Sequence, residues 1–245
     1  MDVTKHTAQE LVPRQANRLL AALPDDAYDK IEPHLERVTL KNGIVLHKPG
    51  EEIHDLYFPL DCLISITVTM RDHRIIETGV VGSREMVGIN AFMGGRETTQ
   101  TEYVVQMAGD AMRIDSAPLR DAFDTDKRVR DIFLKLTQAM IAQISQTAAC
   151  NSLHLLEKRY ARWLLEVHDR THSDELRLTH EFMSEMLGVR RAGITQLAGR
   201  FERDGLISEG YGWTRIVDRA GLEAASCECY SVLREEYERL LGPRH

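Results

Sequence analysis

Arginine is concentrated in one short stretch of this chain, residues 190–203, which holds four arginines and a single acid, Glu202. Guanidinium groups neutralise phosphates and bind the O6 and N7 edge of guanine in bidentate fashion, and glutamine can read adenine. The chemistry within reach of these residue types is recognition of double-stranded DNA. The side chains predicted to read base edges are Arg191, Gln196 and Thr195. Those predicted to contact phosphate are Arg190, Arg200, Thr179, Tyr211 and Trp213.

A first helix is predicted to support this basic segment. Thr179 is a suitable N-cap for it. Phe182, Met186 and Leu187 follow at spacings that place them on one buried face. Gly188 is expected to end the helix, because glycine readily adopts the left-handed conformation of a helix terminus.

The second helix is expected from about residue 190 to residue 204. Its buried face is predicted to consist of Ile194, Leu197, Ala198 and Phe201. Ile207 and Ile216 then flank a glycine-containing tip at 210–212, which is typical of a hairpin. Helix, turn, helix and hairpin in this order indicate a winged helix-turn-helix. The alternative is a plain helical hairpin with a solvated charged face, and the joint occurrence of all four features favours the winged form.

Composition limits the classes of protein to consider. The 245 residues include 31 Lys and Arg against 38 Asp and Glu, a formal net charge of −7. This balance argues against a nucleic-acid coat, but it allows a sequence-specific binder with a local basic surface. No run approaches the roughly 18–20 apolar residues of a membrane span, and the N-terminus lacks the apolar stretch of a signal peptide. We therefore expect a cytoplasmic protein of two domains.

The cysteines could in principle form disulfides or bind a metal. Cys62, Cys150, Cys227 and Cys229 are too few and too scattered for a secreted disulfide framework. Cys227 and Cys229 could donate two thiolates, but a closed zinc site needs four ligands and no second Cys or His pair stands nearby in sequence. These small residues are expected to pack a C-terminal helix, and no metal site is predicted.

The N-terminal half divides into a helical and a β-rich part. The first 36 residues are predicted to be helical, with Leu19, Leu20 and Leu23 on one face and a second short helix opening at 24–26. From residue 38 to about residue 114, short β-branched or aromatic segments alternate with turns. The predicted strands lie at 44–46, 56–58, 63–70, 75–81 and 103–106. Many short strands with frequent turns indicate a β-barrel or jelly roll.

A long helical segment is predicted over residues 118–168, with a possible interruption at 151–152. Residues 136–154 contain no charged Asp, Glu, Lys or Arg, so the helix has apolar surface on several sides and needs two neighbours. One is expected to be the barrel and the other the same helix of a second subunit; the alternative is a central helix buried in a monomer. The predicted dimer interface consists of Phe133, Leu136, Met140 and Ile144.

With these features in view, the chain resembles the cyclic-AMP receptor protein and fumarate-nitrate reduction regulator (Crp/Fnr) superfamily of bacterial transcription factors. The residues that carry the resemblance lie at 48–51, 56–58, 87–92, 187–191, 205–207, 218–222 and 227–230. The resemblance implies an α+β chain with an N-terminal cyclic-nucleotide-binding-like β-barrel (jelly roll), a long dimerisation helix and a C-terminal winged helix-turn-helix. It also implies three partners: a second copy of the chain, double-stranded DNA with an inverted-repeat operator, and RNA polymerase.

The effector cassette departs from the cyclic-AMP pattern of the superfamily. There, a Gly-Glu pair binds the ribose hydroxyl and an Arg-Ser or Arg-Thr pair binds the phosphate. Here the glutamate position is Ile89, and the arginine position falls near Gln100. An isoleucine cannot accept a hydrogen bond and a neutral amide cannot replace a bidentate cation. The remaining candidates around the cassette are Gly88, Asn90, Thr101 and Arg96.

Other effectors receive no support from the sequence. No cysteine precedes Cys62, so the N-terminal cysteine cluster of iron-sulfur oxygen sensors is absent, and no histidine has the neighbourhood of a haem ligand. No cofactor is predicted and the effector is unknown. In the recognition helix, the superfamily's Arg-Glu pair is replaced by Arg191 and Ala192, with Gln196 in the place of the following arginine, so a different operator is expected.

The predicted organisation has five parts: N-terminal helices (1–36), the effector-type barrel (37–117), the long helix (118–168), the winged helix-turn-helix (169–224) and a C-terminal helical extension (225–245). The function predicted is a homodimeric, sequence-specific transcription regulator with an altered effector barrel. The alternative is a small-metabolite or cyclic-nucleotide binding module that acts through protein partners. An enzyme is not predicted, because the chain lacks a Gly-x-Ser-x-Gly elbow, a P-loop and a His-Glu-x-x-His motif.

Overall fold

The computed structural model describes residues 4–5, 14–93 and 101–242. The strands are β1 (Thr4–Lys5), β2 (Glu36–Leu40), β3 (Val45–His47), β4 (Asp55–Pro59), β5 (Leu63–Thr69), β6 (Ile75–Val81), β7 (Glu102–Met107), β8 (Gly109–Asp115), β9 (Glu175–Leu176), β10 (Ile207–Gly210) and β11 (Trp213–Ile216). The helices are α1 (Arg18–Ala22), α2 (Asp25–Ile31), α3 (Ser116–Thr125), α4 (Lys127–Leu153), α5 (Leu156–Thr171), α6 (His180–Met186), α7 (Arg191–Arg203), α8 (Arg219–Ala225) and α9 (Glu228–Leu241).

The β-rich part is a jelly roll rather than a closed barrel. Its strands form two four-stranded antiparallel sheets, ordered β1-β2-β8-β4 and β3-β7-β5-β6. Apolar residues of both sheets, among them Leu56, Ile64 and Val105, are buried in one core. The predicted fold class is confirmed, and each strand predicted from sequence overlaps an observed one.

The N-terminal segment is only partly helical. Leu19 and Leu20 of α1 and the following Leu23 are buried in the core, as predicted. Asn17 caps α1, because its side-chain oxygen accepts hydrogen bonds from two backbone N–H groups of the first turn. However, β1 pairs with β2, so the prediction that residues 1–36 are helical is wrong at residues 4–5. A two-residue strand is too short to show an alternating pattern.

The predicted long helix is three helices. The first break lies at Asp126, whose backbone is extended. Its side chain accepts a hydrogen bond from Arg128 N and so caps the N-terminus of α4. The second break lies at His154 and Leu155, whose backbones are extended, a few residues beyond the interruption predicted at 151–152. Among the described residues, no helix is both long enough and apolar enough to span a lipid bilayer.

Most of the predicted dimer interface is buried within the chain itself. Phe133, Leu136 and Met140 belong to the jelly-roll core, so the prediction is wrong for these three. The reason is that α4 has two neighbours of its own, the jelly roll on one side and α9 on another. A third face stays open. Its large apolar residues are Ile144 (41 % exposed), Leu134 (53 %) and Ile141 (59 %).

Candidate nucleic-acid interface

The turn between α6 and α7 forms as the sequence predicts. The Thr179 hydroxyl accepts a hydrogen bond from Phe182 N at 3.2 Å and so caps α6. Gly188 has a positive φ of 64°, which an L side chain rarely adopts. Arg190 is extended (φ −78°, ψ 141°) and α7 begins directly after it. The two helices are thus oriented by local chemistry.

The buried face of α7 packs against α6 and β10 and also contacts α5. Ile194, Leu197, Ala198 and Phe201 are all buried, as predicted. The ring of Phe201 meets that of Tyr160 on α5 edge-on, with 5.5 Å between centroids. This apolar contact leaves the opposite face of α7 to solvent.

The predicted base-reading residues lie together on the solvent face of α7. Arg191, Thr195 and Gln196 are all exposed. Arg191 makes a 3.6 Å ion pair with Glu181, which is itself exposed. The Thr195 hydroxyl is engaged within the domain, since it bonds to the Arg191 carbonyl at 3.2 Å and to His180 Nδ1 at 3.1 Å. Arg191 and Gln196 are therefore freer than Thr195 to contact bases.

The predicted phosphate contacts fall into two groups. Arg190, just before α7, is exposed, and Tyr211, at the tip of the β10–β11 wing, is fully exposed. Thr179 uses its hydroxyl as a helix cap. The Arg200 guanidinium forms an ion pair with the carboxylate of Glu157 on α5.

Trp213 has a structural role in the wing. Its indole ring lies over Gly210, where a Cβ would approach Trp213 Cε2 to 2.1 Å. A side chain at position 210 would therefore require the Trp213 ring to shift. The guanidinium of Arg215 lies 5.3 Å from the ring centroid, a cation–π distance.

Two residues at this surface were not predicted. His180 joins three elements, because it meets Thr195 on α7 and, through Nε2, Glu209 of the wing at 2.5 Å. A histidine behind an N-cap carries no sequence signal for such a role. Arg215 is exposed on β11, where Thr214 and Ile216 are buried. That alternation in the sequence could have placed Arg215 on the outer face.

The described residues of the effector cassette include few groups that could bind a cyclic phosphate. Gly88 has a φ of 97°, and a Cβ there would lie 2.5 Å from Leu56 Cδ2, so the chain approaches closely at this point. Ile89 is buried, whereas Asn90 is partly exposed and accepts a hydrogen bond from the Tyr103 hydroxyl at 3.4 Å. Thr101 is half-buried just before β7. Two further candidates, Gln100 and Arg96, lie outside the described residues.

A buried histidine lies beside this cassette. His47 contacts the ring of Tyr103 edge-on, with 5.6 Å between centroids, and its Nε2 hydrogen-bonds with the Asp55 carbonyl at 2.8 Å. Burial lowers the pKa of His47, which favours the neutral ring. Ile89 and His47 therefore contribute buried apolar and neutral groups to this part of the cassette.

No metal site was predicted because no second Cys or His pair stands near Cys227 and Cys229 in the sequence, but the fold brings such a pair to them. Cys150 and His154 at the end of α4 lie directly against Cys227 and Cys229 at the start of α9. The second ligand pair exists, but it stands 77 residues upstream of Cys227. Its own spacing, Cys-x₃-His, was the signal available in the sequence, because four-residue spacing at the end of a helix can bring two donors to one side.

Comparison with known proteins agrees with the winged helix-turn-helix. Residues 158–225, from α5 through α8, match the family described as the Crp-like helix-turn-helix domain. No curated protein shows significant sequence similarity to the chain.

Solved structures match over most of the chain. FixK2 from Bradyrhizobium japonicum has a TM-score of 0.67 at 12 % identity, covering 79 % of this chain and 98 % of that one. CLP, the c-di-GMP responsive global regulator of Xanthomonas campestris, has a TM-score of 0.63 at 16 % identity, covering 80 % and 100 %. A transcriptional regulator of the CRP/FNR family from Thermus thermophilus has a TM-score of 0.61 at 20 % identity, covering 80 % and 98 %.

At these identities the structural matches show the fold, and the domain match adds the helix-turn-helix type. Together they confirm the resemblance inferred from the sequence: the fold is that of Crp/Fnr structures, and residues 158–225 form a Crp-like helix-turn-helix domain.

Proposed function

We propose that this chain, which has the Crp/Fnr fold and carries a Crp-like helix-turn-helix domain, is a homodimeric, sequence-specific DNA-binding transcription regulator. The observation that carries the proposal is the solvent face of α7. There Arg191 and Gln196 are both exposed on a helix whose other face is buried. Helices of this kind enter the major groove by their first turns, where such side chains reach base edges. The regulator acts in the cytoplasm and catalyses no reaction.

The dimer forms through the open face of α4. Leu134, Ile141 and Ile144 are spaced by seven and then three residues, which places them on one stripe of the helix. An exposed apolar stripe on a helix is costly in water and is typical of a subunit interface. A two-fold pair of α4 helices would carry two copies of α7, so the operator is an inverted repeat with half-sites one DNA turn apart.

The test of the dimer is sedimentation of the Ile141→Glu variant. A charge in a dry interface costs several kcal/mol, so this variant should be a folded monomer. Val232, an exposed apolar residue on α9, provides the control, and Val232→Glu should remain dimeric. A folded Ile141→Glu dimer would exclude this face of α4.

The effector site has lost the usual cyclic-AMP chemistry. Support comes from buried Ile89, which stands where the superfamily's ribose-binding acid is expected and cannot accept a hydrogen bond. Calorimetry with cyclic AMP should therefore give no saturable binding in the micromolar range. Saturable micromolar binding would mean that residues at other positions supply the phosphate-binding cation and the acceptor for the ribose hydroxyl.

Selection of bound fragments from random DNA tests the function as a whole. The expected result is enrichment of an inverted repeat, with and without cell-extract metabolites. The Arg191→Ala variant should lose enrichment at one base pair of each half-site, whereas Arg239→Ala, which removes an exposed arginine of α9, should select the original sequence. Failure to enrich any sequence under both conditions would favour a metabolite-binding module that acts through proteins.

A further inference from the structure

Four metal-ligand side chains converge where α4 ends and α9 begins. The donor atoms of Cys150, His154, Cys227 and Cys229 all lie within 4.8 Å of one another. They come from two separate parts of the sequence, and none of the cysteines is in a disulfide. The three cysteines are buried and form a small cluster of their own, apart from both large apolar cores.

The distances within this cluster fit a single tetrahedral ion. Cys150 Sγ and Cys227 Sγ are 3.6 Å apart, and Cys229 Sγ is 3.5 Å from His154 Nδ1. With Zn–S near 2.3 Å and Zn–N near 2.0–2.1 Å, the edges of a tetrahedron are about 3.8 Å for two sulfurs and about 3.6 Å for sulfur and nitrogen. These two separations match the edges of a zinc tetrahedron, and every other pair of donor atoms lies within 4.8 Å, so small side-chain shifts would complete the site. A cluster of several irons would hold its ligands farther apart.

The surrounding polar groups are arranged as an outer shell. Gln146 Nε2 donates to Cys229 Sγ at 3.0 Å, which stabilises negative charge on that sulfur. On the far side of the imidazole, His154 Nε2 lies 3.3 Å from Glu228 Oε1. A carboxylate at this nitrogen fixes the tautomer that leaves Nδ1 free to bind a metal.

From this geometry we propose that Cys150, His154, Cys227 and Cys229 bind one Zn²⁺ ion in a closed Cys₃His site. Three thiolates and one imidazole complete four-coordination without water, which is the ligand set of structural zinc. The thiols release their protons when the metal binds, so affinity falls at acid pH.

The position of the site defines what the ion does. His154 belongs to the break between α4 and α5, and Cys227 and Cys229 open α9. Zinc therefore fastens the C-terminal helix to the point where the dimerisation helix passes into the DNA-binding domain. A nearby hydrogen bond, from Lys158 Nζ on α5 to the Ser226 carbonyl at 3.1 Å, joins the same elements.

Metal analysis of the full chain tests the proposal without reference to DNA. Protein purified under reducing conditions should hold about one zinc per chain. After removal of zinc, Co²⁺ should restore the visible bands of tetrahedral cobalt together with sulfur-to-cobalt charge-transfer absorption. Absence of these bands, stoichiometric iron, or a Cys150–Cys227 disulfide with no metal would each overturn the assignment.

Variants locate the site. Cys229→Ser should lose most of the bound zinc, whereas Cys62→Ser, at a buried thiol inside the jelly roll, should keep it. Glu228→Gln removes only the outer carboxylate and should weaken zinc binding by about 10–100-fold. Equal zinc content in Cys229→Ser and Cys62→Ser would overturn the proposal. If Cys229→Ser does not fold, two other results test the proposal: the cobalt spectrum of the unaltered chain and the zinc affinity of Glu228→Gln. A missing cobalt spectrum, or an unchanged zinc affinity in Glu228→Gln, would then overturn it.

Discussion

Arg191 on α7 is exposed, and its 3.6 Å ion pair is with Glu181, which is also exposed. Arg170 on α5 is buried, and its guanidinium lies 2.9 Å from buried Glu85. The first pair is screened by water and contributes little to stability. In the second pair, water cannot reach Arg170 or Glu85, so neither charge can be solvated if the other is lost. The comparison teaches that an arginine with a replaceable partner stays available for recognition, as we propose for Arg191, whereas an arginine with a buried partner stabilises the fold.

The second arginine belongs to a larger contact that we call the buried joint: loop 82–85 of the jelly roll packed against α5. In it, Arg170 also reaches the Glu166 carbonyl at 3.1 Å, and Glu85 accepts a hydrogen bond from Gly82 N at 2.8 Å. A Cβ at Gly82 would approach Arg170 Cβ to 2.4 Å, so only glycine fits there. The joint fixes the DNA-binding domain to the jelly roll.

The largest effect is expected from Arg170→Ala. Side chains of Arg170 and Glu85 are 2 % and 0 % exposed, so removing the cation leaves a buried carboxylate unpaired, at a cost of about 3–5 kcal/mol in the free energy of unfolding. Urea titration followed by circular dichroism measures it. The double variant Arg170→Met/Glu85→Gln should recover much of the loss, because no unpaired charge remains. If Arg170→Ala lowered the free energy of unfolding by less than about 1 kcal/mol, the buried pair of Arg170 would be no more important for stability than the exposed pair of Arg191.

The next effect concerns another buried acid between the jelly roll and α5. Glu77 accepts hydrogen bonds from Ser65 Oγ at 2.5 Å and from Trp163 Nε1 at 2.8 Å. Burial raises the pKa of Glu77 from 4.5 to about 7; Glu166 adds to this, whereas the two hydrogen bonds and Arg162 oppose it.

Glu77 therefore makes stability depend on pH. Because the folded state holds its proton more tightly, its contribution is complete below pH 4.5 and is lost as pH rises through about 7, by up to about 3 kcal/mol. Glu77→Gln keeps an acceptor for Trp163 and cannot titrate. The difference in unfolding free energy between the two proteins should thus change between pH 4.5 and pH 7. A constant difference would show that Glu77 is ionised throughout.

On the exposed side, Arg191→Ala should cost about 1–3 kcal/mol of binding to the selected operator and relax specificity at one base pair of each half-site. Stability should change by less than about 0.5 kcal/mol, because Arg191 is exposed and its ion pair is weak. Fluorescence anisotropy with single-base operator variants measures both affinity and specificity. A loss that is equal for all DNA sequences would mean that Arg191 only positions the helix.

The helix-turn-helix could be predicted from sequence because its signals are local. The Thr179 cap, the φ of Gly188 and the three- and four-residue spacing in α7 each act within a few residues. Strands β2 and β8 could not be predicted individually, since their polar residues obscure the alternation. Those residues pair across the strands, as in the 2.6 Å contacts from Asp110 to Arg37 and Thr39.

The errors lie where distant segments meet. Helix α9 packs on α4, and nothing near α4 in the sequence indicates this contact. With the jelly roll, it occupies surface of α4 that was predicted to meet a second subunit, and for this reason we propose the open face instead. The same contact brings Cys227 and Cys229 to Cys150 and His154. Each pair alone is an incomplete zinc site, so only the tertiary fold shows that the two complement each other.

The smallest effect sharpens the comparison within α7 itself. Arg200 is predicted to bind phosphate, yet its guanidinium is paired with Glu157. DNA must therefore displace a weak partner, and Glu157→Gln should strengthen binding to all sequences severalfold while Arg200→Ala weakens all alike and lowers the salt slope by about one unit. Glu185→Gln, at an exposed acid of α6, makes the same change in charge. If Glu185→Gln strengthens binding as much as Glu157→Gln, the gain reflects net charge, and Arg200 is not held back by its ion pair.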